Sequence, residues 1–217
     1  MEQLEIEKTS KLLEKYGLPF SKYFLVKSKE EAVKAAKKLK FPVVMKTAAK
    51  EIVHKSDVGC VITGINNEKD AEKAYLEIIK NTSKLKKTKE ISNITKVIVQ
   101  RTEKGEEVIV GMKRDAQFGP VLMFGLGGIF VEILKDVSFR IAPVNKDGAL
   151  EMIKETKASK ILFGARGKKP TNIYAIADII TKLSKLSEDK KIKEIDLNPI
   201  IVNEKKATIV DARIIVD

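Results

Sequence analysis

The stretch that decides the fold of this 217-residue chain is PVVMKTAAKEIVHKSDVGCVITG, residues 42–64. Residues 43–45 and 58–62 are short apolar runs rich in β-branched side chains, which are typical of buried strands. The polar loop between the runs contains His54, the only histidine of the chain. Because Lys46 closes the first run, the pattern predicts a cation at a strand end, followed by a loop that carries a possible nucleophile.

His54 has two interpretations. A lone histidine is commonly a hydrogen-bonded structural residue or an exposed one. Its neighbours Lys50, Lys55, Ser56 and Asp57, however, can pair with an anion or orient an imidazole. A neutral imidazole is a competent phosphoryl acceptor near pH 7, so the loop is a candidate for phosphoryl transfer.

Composition narrows the class of partner and the compartment. The chain has 42 Lys and Arg against 30 Asp and Glu, a net charge of +12, which favours anionic partners such as nucleotides, acyl-CoA or nucleic acid. The lysines recur at helical spacing and tryptophan is absent, a pattern typical of solvated helix faces and not of base-stacking surfaces. A single cysteine, Cys60, and no apolar run of membrane-spanning length predict a soluble cytoplasmic protein.

Apolar periodicity and capping residues predict the elements. Helices are expected over residues 2–16, 28–39, 67–85, 147–155 and 171–186. Strands are expected over residues 20–26, 43–45, 58–62, 96–101, 107–113, 121–124, 129–134, 138–142, 193–197, 200–202 and 208–216. Because strands and helices are segregated along the chain, we predict an α+β fold with two lobes, residues 1–102 and residues 103–217.

Two motifs in the second lobe could serve an anion. Gly125-Leu-Gly-Gly128 lies between two predicted strands and forms either an anion-binding nest or a tight hairpin connection. Glu132, Asp136 and Arg140 follow at four-residue spacing. They indicate either a surface ion-pair network or a functional group in which Arg140 holds a phosphoryl group and an acidic side chain orients His54.

Three oxygen-bearing residues near the C-terminus predict a metal site. Asp196 and Asn198 are two apart on a predicted strand and face the same side, and a hairpin return brings Asp211 beside them. Carboxylate and amide oxygens suit Mg²⁺ held together with nucleotide phosphates. The alternative is a polar hairpin with a turn at Asn198-Pro199.

Taken together, several motifs resemble those of the β subunit of ADP-forming acetyl-CoA (acyl-CoA) synthetases, which are ATP-grasp proteins. The motifs are PVVMK (residues 42–46), HKSDVG (54–59), EVIVGMKRD (107–115), FGPVLMFGLGG (118–128) and DLNP (196–199), with Glu132, Asp136 and Arg140. The chain is similar, more distantly, to the β subunit of succinyl-CoA synthetase. The resemblance implies a two-lobed ATP-grasp fold, with a phosphohistidine loop at residues 48–57 in the first lobe and metal ligands in the second. It also implies Mg²⁺-dependent, reversible phosphoryl transfer between a phosphohistidine and ADP or ATP, coupled to cleavage of acyl-CoA.

The resemblance also implies a role for individual residues. His54 matches the phosphohistidine, Lys46 the lysine on the nucleotide phosphates, Glu107 a nucleotide contact and Gln100 the adenine-contacting segment. Asn198 and Asp211 match metal ligands, and Asp196 stands where a glutamate is usual in the succinyl-CoA enzyme. The family pattern further includes Gly125, Gly127 and Gly128, which we expect to bind nucleotide, and Glu132 and Arg140, which we expect to be catalytic.

A partner follows from the same resemblance. We expect a separate CoA-binding α subunit that carries a first phosphohistidine, in an α2β2 assembly without membrane or nucleic acid. Two other functions remain open: a carboxylate ligase that forms an acyl phosphate and in which His54 is structural, and a basic nucleic-acid-binding module.

Overall fold

The computed structural model describes residues 1–52, 55–86, 96–167 and 169–217 of the chain. They form two compact units: a smaller unit, Ser21–Thr102, and a larger unit that combines Met1–Phe20 with Glu103–Asp217. None of the helices in these ranges is long and apolar enough to cross a membrane.

The described residues form helices and strands in both units. In chain order they are β1 (Glu2–Gln3), α1 (Ile6–Lys15), β2 (Tyr23–Val26), α2 (Lys29–Leu39), β3 (Val43–Thr47), β4 (Val61–Ile65), α3 (Glu68–Lys86), β5 (Val97–Arg101), β6 (Glu106–Asp115), β7 (Gly119–Leu126), α4 (Ile129–Glu132), β8 (Val137–Ile141), α5 (Lys146–Glu155), α6 (Ile173–Leu186), β9 (Ile192–Val202), β10 (Ala207–Ile209) and β11 (Ala212–Val216). Two 3-10 turns, Lys157–Ile161 and Ala165–Gly167, lie between α5 and α6.

The smaller unit is a four-stranded antiparallel sheet with the order β2-β5-β3-β4, packed against α2 and α3. Both helices begin where the sequence predicts a cap. Ser28 accepts a hydrogen bond from the backbone N–H of Glu31 (3.1 Å), and the Glu31 carboxylate accepts one from Lys27 N (2.7 Å). Asn67 accepts from Asp70 N (2.9 Å) at the start of α3. These contacts satisfy N–H groups that the first helical turn leaves without partners.

The larger unit contains a seven-stranded antiparallel sheet. Six strands follow the order β1-β11-β9-β6-β7-β8, and β10 pairs with the far end of β9. One face packs against α1, α5 and α6, and its core contains Phe124, Met152, Ile180 and Leu197, each fully buried. Because side chains alternate along a strand, residues next to these core positions face the other side of the sheet.

The N-terminal segment belongs to the larger unit, whereas the predicted lobe of residues 1–102 included it. Strand β1 pairs with β11 through Glu2 and Val216, and Leu13 of α1 is fully buried in the core of the larger unit. Pairing between the two ends of a chain depends on sequence-distant contacts, which local periodicity does not report.

Two strand predictions are wrong. Residues 129–134 do not form a strand: α4 begins after the glycine loop, and Val131 N donates to Gly128 O (3.1 Å). A short apolar run fits a buried helix as well as a buried strand, so periodicity does not separate them. The predicted strand 208–216 is two strands, β10 and β11, and β9 continues through Asn198 and Pro199 without the expected break.

Replacing Leu13 with alanine tests the placement of the N-terminal segment. We expect Leu13→Ala to lower the free energy of unfolding by about 2–5 kcal/mol, because it leaves a cavity in the main core of the larger unit. The exposed Lys11 of the same helix supplies the control, and Lys11→Ala should change stability by no more than about 0.5 kcal/mol. Urea titration of both variants measures the difference, and equal effects would contradict the packing.

Candidate functional site

The predicted metal-site residues lie on the face of the larger sheet opposite its core. In β9, Ile195 and Leu197 are buried in the core, so the intervening Asp196 and the following Asn198 project from the other face. Asp211 lies across from Asn198, whose N–H donates to the Asp211 carbonyl oxygen (3.2 Å). The structure therefore brings all three residues together, as the hairpin return predicted.

The electrostatics of Asp196 indicate a site that favours a cation. The side chain is half-buried, and burial raises the pKa of its carboxyl group above the ordinary value. The guanidinium of Arg213 lowers this pKa, whereas the negative charges of Glu194 and Asp211 raise it further. A carboxylate held near two other carboxylates is stabilised when a cation binds among them.

The donor set fits Mg²⁺ bound together with a nucleotide. Within the described ranges, no group of three or more His, Cys, Asp or Glu side chains could hold a metal alone. Asp196, Asn198 and Asp211 supply two carboxylates and one amide. Mg²⁺ is commonly held by one or two carboxylates, with waters and phosphate oxygens in the remaining positions.

An open hollow of about 720 Å³ extends from Asp196 and Asn198 along the same face of the sheet. Its lining combines apolar side chains with charged ones. The apolar ones include Ile109, Val121, Met123 and Phe139, and the charged ones include Lys113 and Glu194. Gly111 pairs with Asp196 across β6 and β9 and has no side chain to fill the hollow. This face can therefore accept a ligand that combines an apolar surface with charged groups.

The glycine loop is required for close packing. A Cβ atom at Gly127 would lie 2.9 Å from the Glu107 Cβ, and one at Gly125 would lie 2.7 Å from Val131 Cγ2. Gly127 N donates to the Glu107 carbonyl oxygen (2.8 Å), and Gly128 has a positive φ of 62°. The loop leads into α4, so it is not a tight hairpin between two strands. Packing explains the residue type at 125 and 127, and nucleotide binding by these glycines stays a prediction.

Arg140 lies on the helix-covered side of the sheet, away from Asp196. Ser138, two residues earlier in β8, donates to the Met152 carbonyl of α5 (2.8 Å), and Arg140 shares that side. Its guanidinium pairs with Glu155, with 2.9 Å between Nη1 and Oε2, and this hydrogen bond lowers the pKa of Glu155. The contact matches the ion-pair alternative, and the catalytic role of Arg140 stays a prediction.

The two acidic residues of that motif differ in what the structure shows. The Asp136 carboxylate accepts hydrogen bonds from Lys157 N (3.0 Å) and Ala158 N (2.7 Å), so it caps the 3-10 turn that follows α5. Glu132 is the last residue of α4, and its side chain lies outside the described part of the structure.

In the smaller unit, Lys46 and Gln100 share one face of the sheet. Lys46 in β3 pairs with Ile98 of β5, and Gln100 pairs with Val44, so both side chains face away from the core that contains Met45. Lys46 is only 5% exposed and Gln100 only 3%. A buried ammonium next to an amide on one sheet face is a suitable anion-binding pair. His54 lies outside the described residues, between β3 and β4.

Sequence reasoning gave no role to Arg213 and did not consider Glu194. Arg213 pairs with Asp196 across β11 and β9, and its Nη1 lies 3.6 Å from Glu194 Oε1. The period-two spacing of residues 194, 196 and 198, and of residues 211 and 213, is the signal that could have found them.

Comparison with known proteins identifies the class. The family model described as the ATP-grasp domain matches residues 1–216. The chain therefore belongs to the ATP-grasp domain family, and the ATP-grasp fold predicted from the sequence is confirmed.

Within this family, the chain is similar to subunits of known enzymes. It is 51% identical over 205 residues to the ADP-forming acetate–CoA ligase I subunit beta of Pyrococcus furiosus, covering 94% of this chain and 88% of that one. It is 46% identical over 211 residues to the ADP-forming 4-hydroxybutyrate–CoA ligase of Nitrosopumilus maritimus, covering 96% of this chain but 30% of that relative.

A solved structure gives the same relationship. It is acetyl-coenzyme A synthetase 1 of Ca. Korarchaeum cryptofilum, bound to coenzyme A and Mg-AMPPCP, with its phosphohistidine segment pointing towards the nucleotide binding site. The TM-score is 0.81 and the identity 42%, over 99% of this chain and 92% of that one.

Replacing Asp196 with asparagine tests the electrostatics of the metal site. In the metal-free protein near pH 8, Asp196→Asn should raise the free energy of unfolding by about 0.5–2 kcal/mol, because it removes a half-buried charge that also lies near two other carboxylates, and the attraction of Arg213 offsets only part of that cost. The folded-state pKa is raised, so wild type and variant should be alike below the unfolded pKa of about 3.8. As pH rises through the folded pKa, wild type should lose stability relative to the variant.

Urea titrations in the presence of EDTA at pH 3 and pH 8 measure this difference. The exposed carboxylate of Glu72 provides the control, and Glu72→Gln should not show the same gain. An Asp196→Asn protein that is less stable than wild type at pH 8 would show that the ionised carboxylate does not destabilise the fold.

Proposed function

We propose that this chain is the nucleotide-binding β subunit of an ADP-forming acyl-CoA synthetase. It transfers a phosphoryl group reversibly between His54 and ADP with Mg²⁺. The observation that carries the proposal is 51% identity to a subunit of that kind, across 88% of its length. The joint placement of Asp196, Asn198 and Asp211 on one sheet face supports it, because a magnesium nucleotide requires such oxygen donors.

The assignment of the phosphohistidine rests on the sequence. The Korarchaeum protein has a phosphohistidine segment. This chain has a single histidine among its 217 residues, so His54 is the residue available for the same task. The loop that carries it connects β3 and β4, and Lys46 belongs to β3.

The phosphoryl transfer proceeds in line. In the direction of ATP synthesis, a terminal oxygen of the ADP β-phosphate attacks the phosphorus on His54, the P–N bond breaks, and the imidazole nitrogen keeps the electron pair. Asp196, Asn198 and Asp211 hold Mg²⁺, which neutralises charge on the phosphate oxygens when bound. Lys46 adds a positive charge to the nucleotide phosphates.

Further residues complete the proposed nucleotide site. We assign nucleotide contacts to Gln100, Glu107 and the glycines 125, 127 and 128, as the resemblance implies. Glu132 and Arg140 are the proposed catalytic residues, and the pairing of Arg140 with Glu155 makes its assignment the one with the least structural support.

The proposed partner is a CoA-binding α subunit that carries a first phosphohistidine, in an α2β2 assembly. The chain corresponds to 88% of a separate β subunit but to only 30% of the 4-hydroxybutyrate–CoA ligase. The α subunit would therefore supply what the other 70% of such a relative contains. Relatives named for acetate and for 4-hydroxybutyrate share the β portion, which supports the proposal that the partner selects the acyl group.

Labelling with γ-³²P-ATP and Mg²⁺ tests the proposed chemistry. Wild type should acquire an acid-labile, base-stable label in the presence of its α partner, and His54→Asn should acquire none while still binding ADP. Wild type that stays unlabelled would refute the phosphohistidine. Retained ATP-dependent turnover in His54→Asn would instead indicate a carboxylate ligase that forms an acyl phosphate.

Replacing Lys46 with methionine tests its contact with the nucleotide. The two side chains have similar volume, so Lys46→Met should keep the fold. Loss of a charge-assisted hydrogen bond should weaken ADP binding by about tenfold or more. The control is Lys34→Met on the exposed side of α2, which should bind ADP like wild type in calorimetry. Equal affinities for both variants would remove Lys46 from the nucleotide site.

A further inference from the structure

Arg213 lies among the carboxylates of the candidate metal site. It is the direct partner of Asp196 in the antiparallel pair of β11 and β9. Directly opposed residues in such a pair share a face, with Cβ atoms about 4.5–5.5 Å apart. The guanidinium extends towards Glu194, where Nη1 lies 3.6 Å from Oε1. Arg213 is therefore a cation on the same face as the proposed magnesium ligands.

The hydrogen bonds of Arg213 do not explain why an arginine stands there. Its Nε is buried and has no hydrogen-bond partner within the residues that the structure covers. A buried donor without a partner costs about 1–3 kcal/mol, and more when the group is charged. The contact with Glu194 is longer than a hydrogen bond, so the compensating interaction is the long-range attraction of the nearby carboxylates.

The guanidinium of Arg213 changes how this group of charges treats a free ion and a magnesium nucleotide. When ionised, Glu194, Asp196 and Asp211 together attract any dication, and Arg213 offsets part of that attraction. A nucleotide brings several negative charges with its metal, and these are repelled by the same carboxylates. The guanidinium weakens the site for a bare cation and strengthens it for a cation that arrives with phosphate oxygens.

We propose that Arg213 tunes this selectivity: its charge shifts the preference of the site from the free Mg²⁺ ion towards Mg²⁺ in its complex with a nucleoside diphosphate. The inference rests on the proposed function, because it assumes that a magnesium nucleotide binds at this face. Arg213 acts as a specificity-determining residue through its charge, and it need not be a ligand of the metal.

The test measures two affinities with Mn²⁺ as the spectroscopic substitute for Mg²⁺. Electron paramagnetic resonance gives the affinity of the isolated chain for free Mn²⁺, and calorimetry gives its affinity for ADP at saturating Mn²⁺. In Arg213→Met, free Mn²⁺ should bind about threefold or more tighter, and Mn²⁺-ADP about threefold or more weaker. Arg213→Lys keeps the charge and should stay within about twofold of wild type in both.

Two further variants keep the test decisive if Arg213→Met does not fold. Arg213→Gln removes the same charge with a polar side chain and should show the same opposite changes. Glu194→Gln removes a negative charge and should weaken binding of free Mn²⁺. Lys205→Met, in the exposed turn after β9, is the matched control for loss of one positive charge and should change neither affinity.

The outcomes separate this inference from the proposed function. If both affinities fall together in Arg213→Met and Arg213→Gln, or if neither changes, Arg213 has no role in selectivity and the inference is overturned. Wild type that binds ADP without any dependence on Mn²⁺ would overturn the inference and the proposed function together. Opposite changes in the two affinities support the inference, since purely structural damage would weaken both.

Discussion

The side chains of strand β9 alternate between two faces of the sheet: apolar side chains enter the core and polar ones lie on the opposite face. Ile195 and Leu197 pack beneath α5 and α6, and Asp196 and Asn198 project from the other side. The strand is held between β6 and β11, so its register is fixed from both sides. A slip by one residue would place Asp196 in the core and Leu197 on the opposite face, which would bury a carboxylate and expose an apolar side chain. The geometry of the site thus follows from the burial of its neighbours.

The predictable parts of the molecule are those that local sequence signals determine. The helices predicted at residues 28–39 and 67–85 are confirmed, because Ser28 and Asn67 cap them locally. The joint placement of Asp196, Asn198 and Asp211 was predictable because side chains alternate along a strand and a hairpin brings the next strand back. These signals lie within a few residues of the feature that they determine.

The errors concern features decided by distant contacts. Pairing of β1 with β11 joins opposite ends of the chain, and nothing within residues 1–20 indicates it. Residues 129–134 form a helical turn because Gly128 directs the chain out of β7, whereas a short apolar run fits either structure. Arg140 lies beside Glu155 because β8 presents it to α5, and four-residue spacing in a strand did not determine that face.

Two neighbouring side chains on adjacent strands of the larger unit each have an interaction that lowers the stability of the ligand-free fold. Asp196 is a half-buried carboxylate near Glu194 and Asp211, and Arg213 has a buried Nε without a partner in the described structure. A metal ion would relieve the first and a phosphate oxygen the second, so one ligand of the proposed kind would remove both costs. A ligand that binds only the folded state stabilises it by mass action. Asp196 and Arg213 therefore lower the stability of the ligand-free fold, and binding of a magnesium nucleotide at the same residues would raise it. The stability of this sheet is thereby coupled to occupancy of the proposed site.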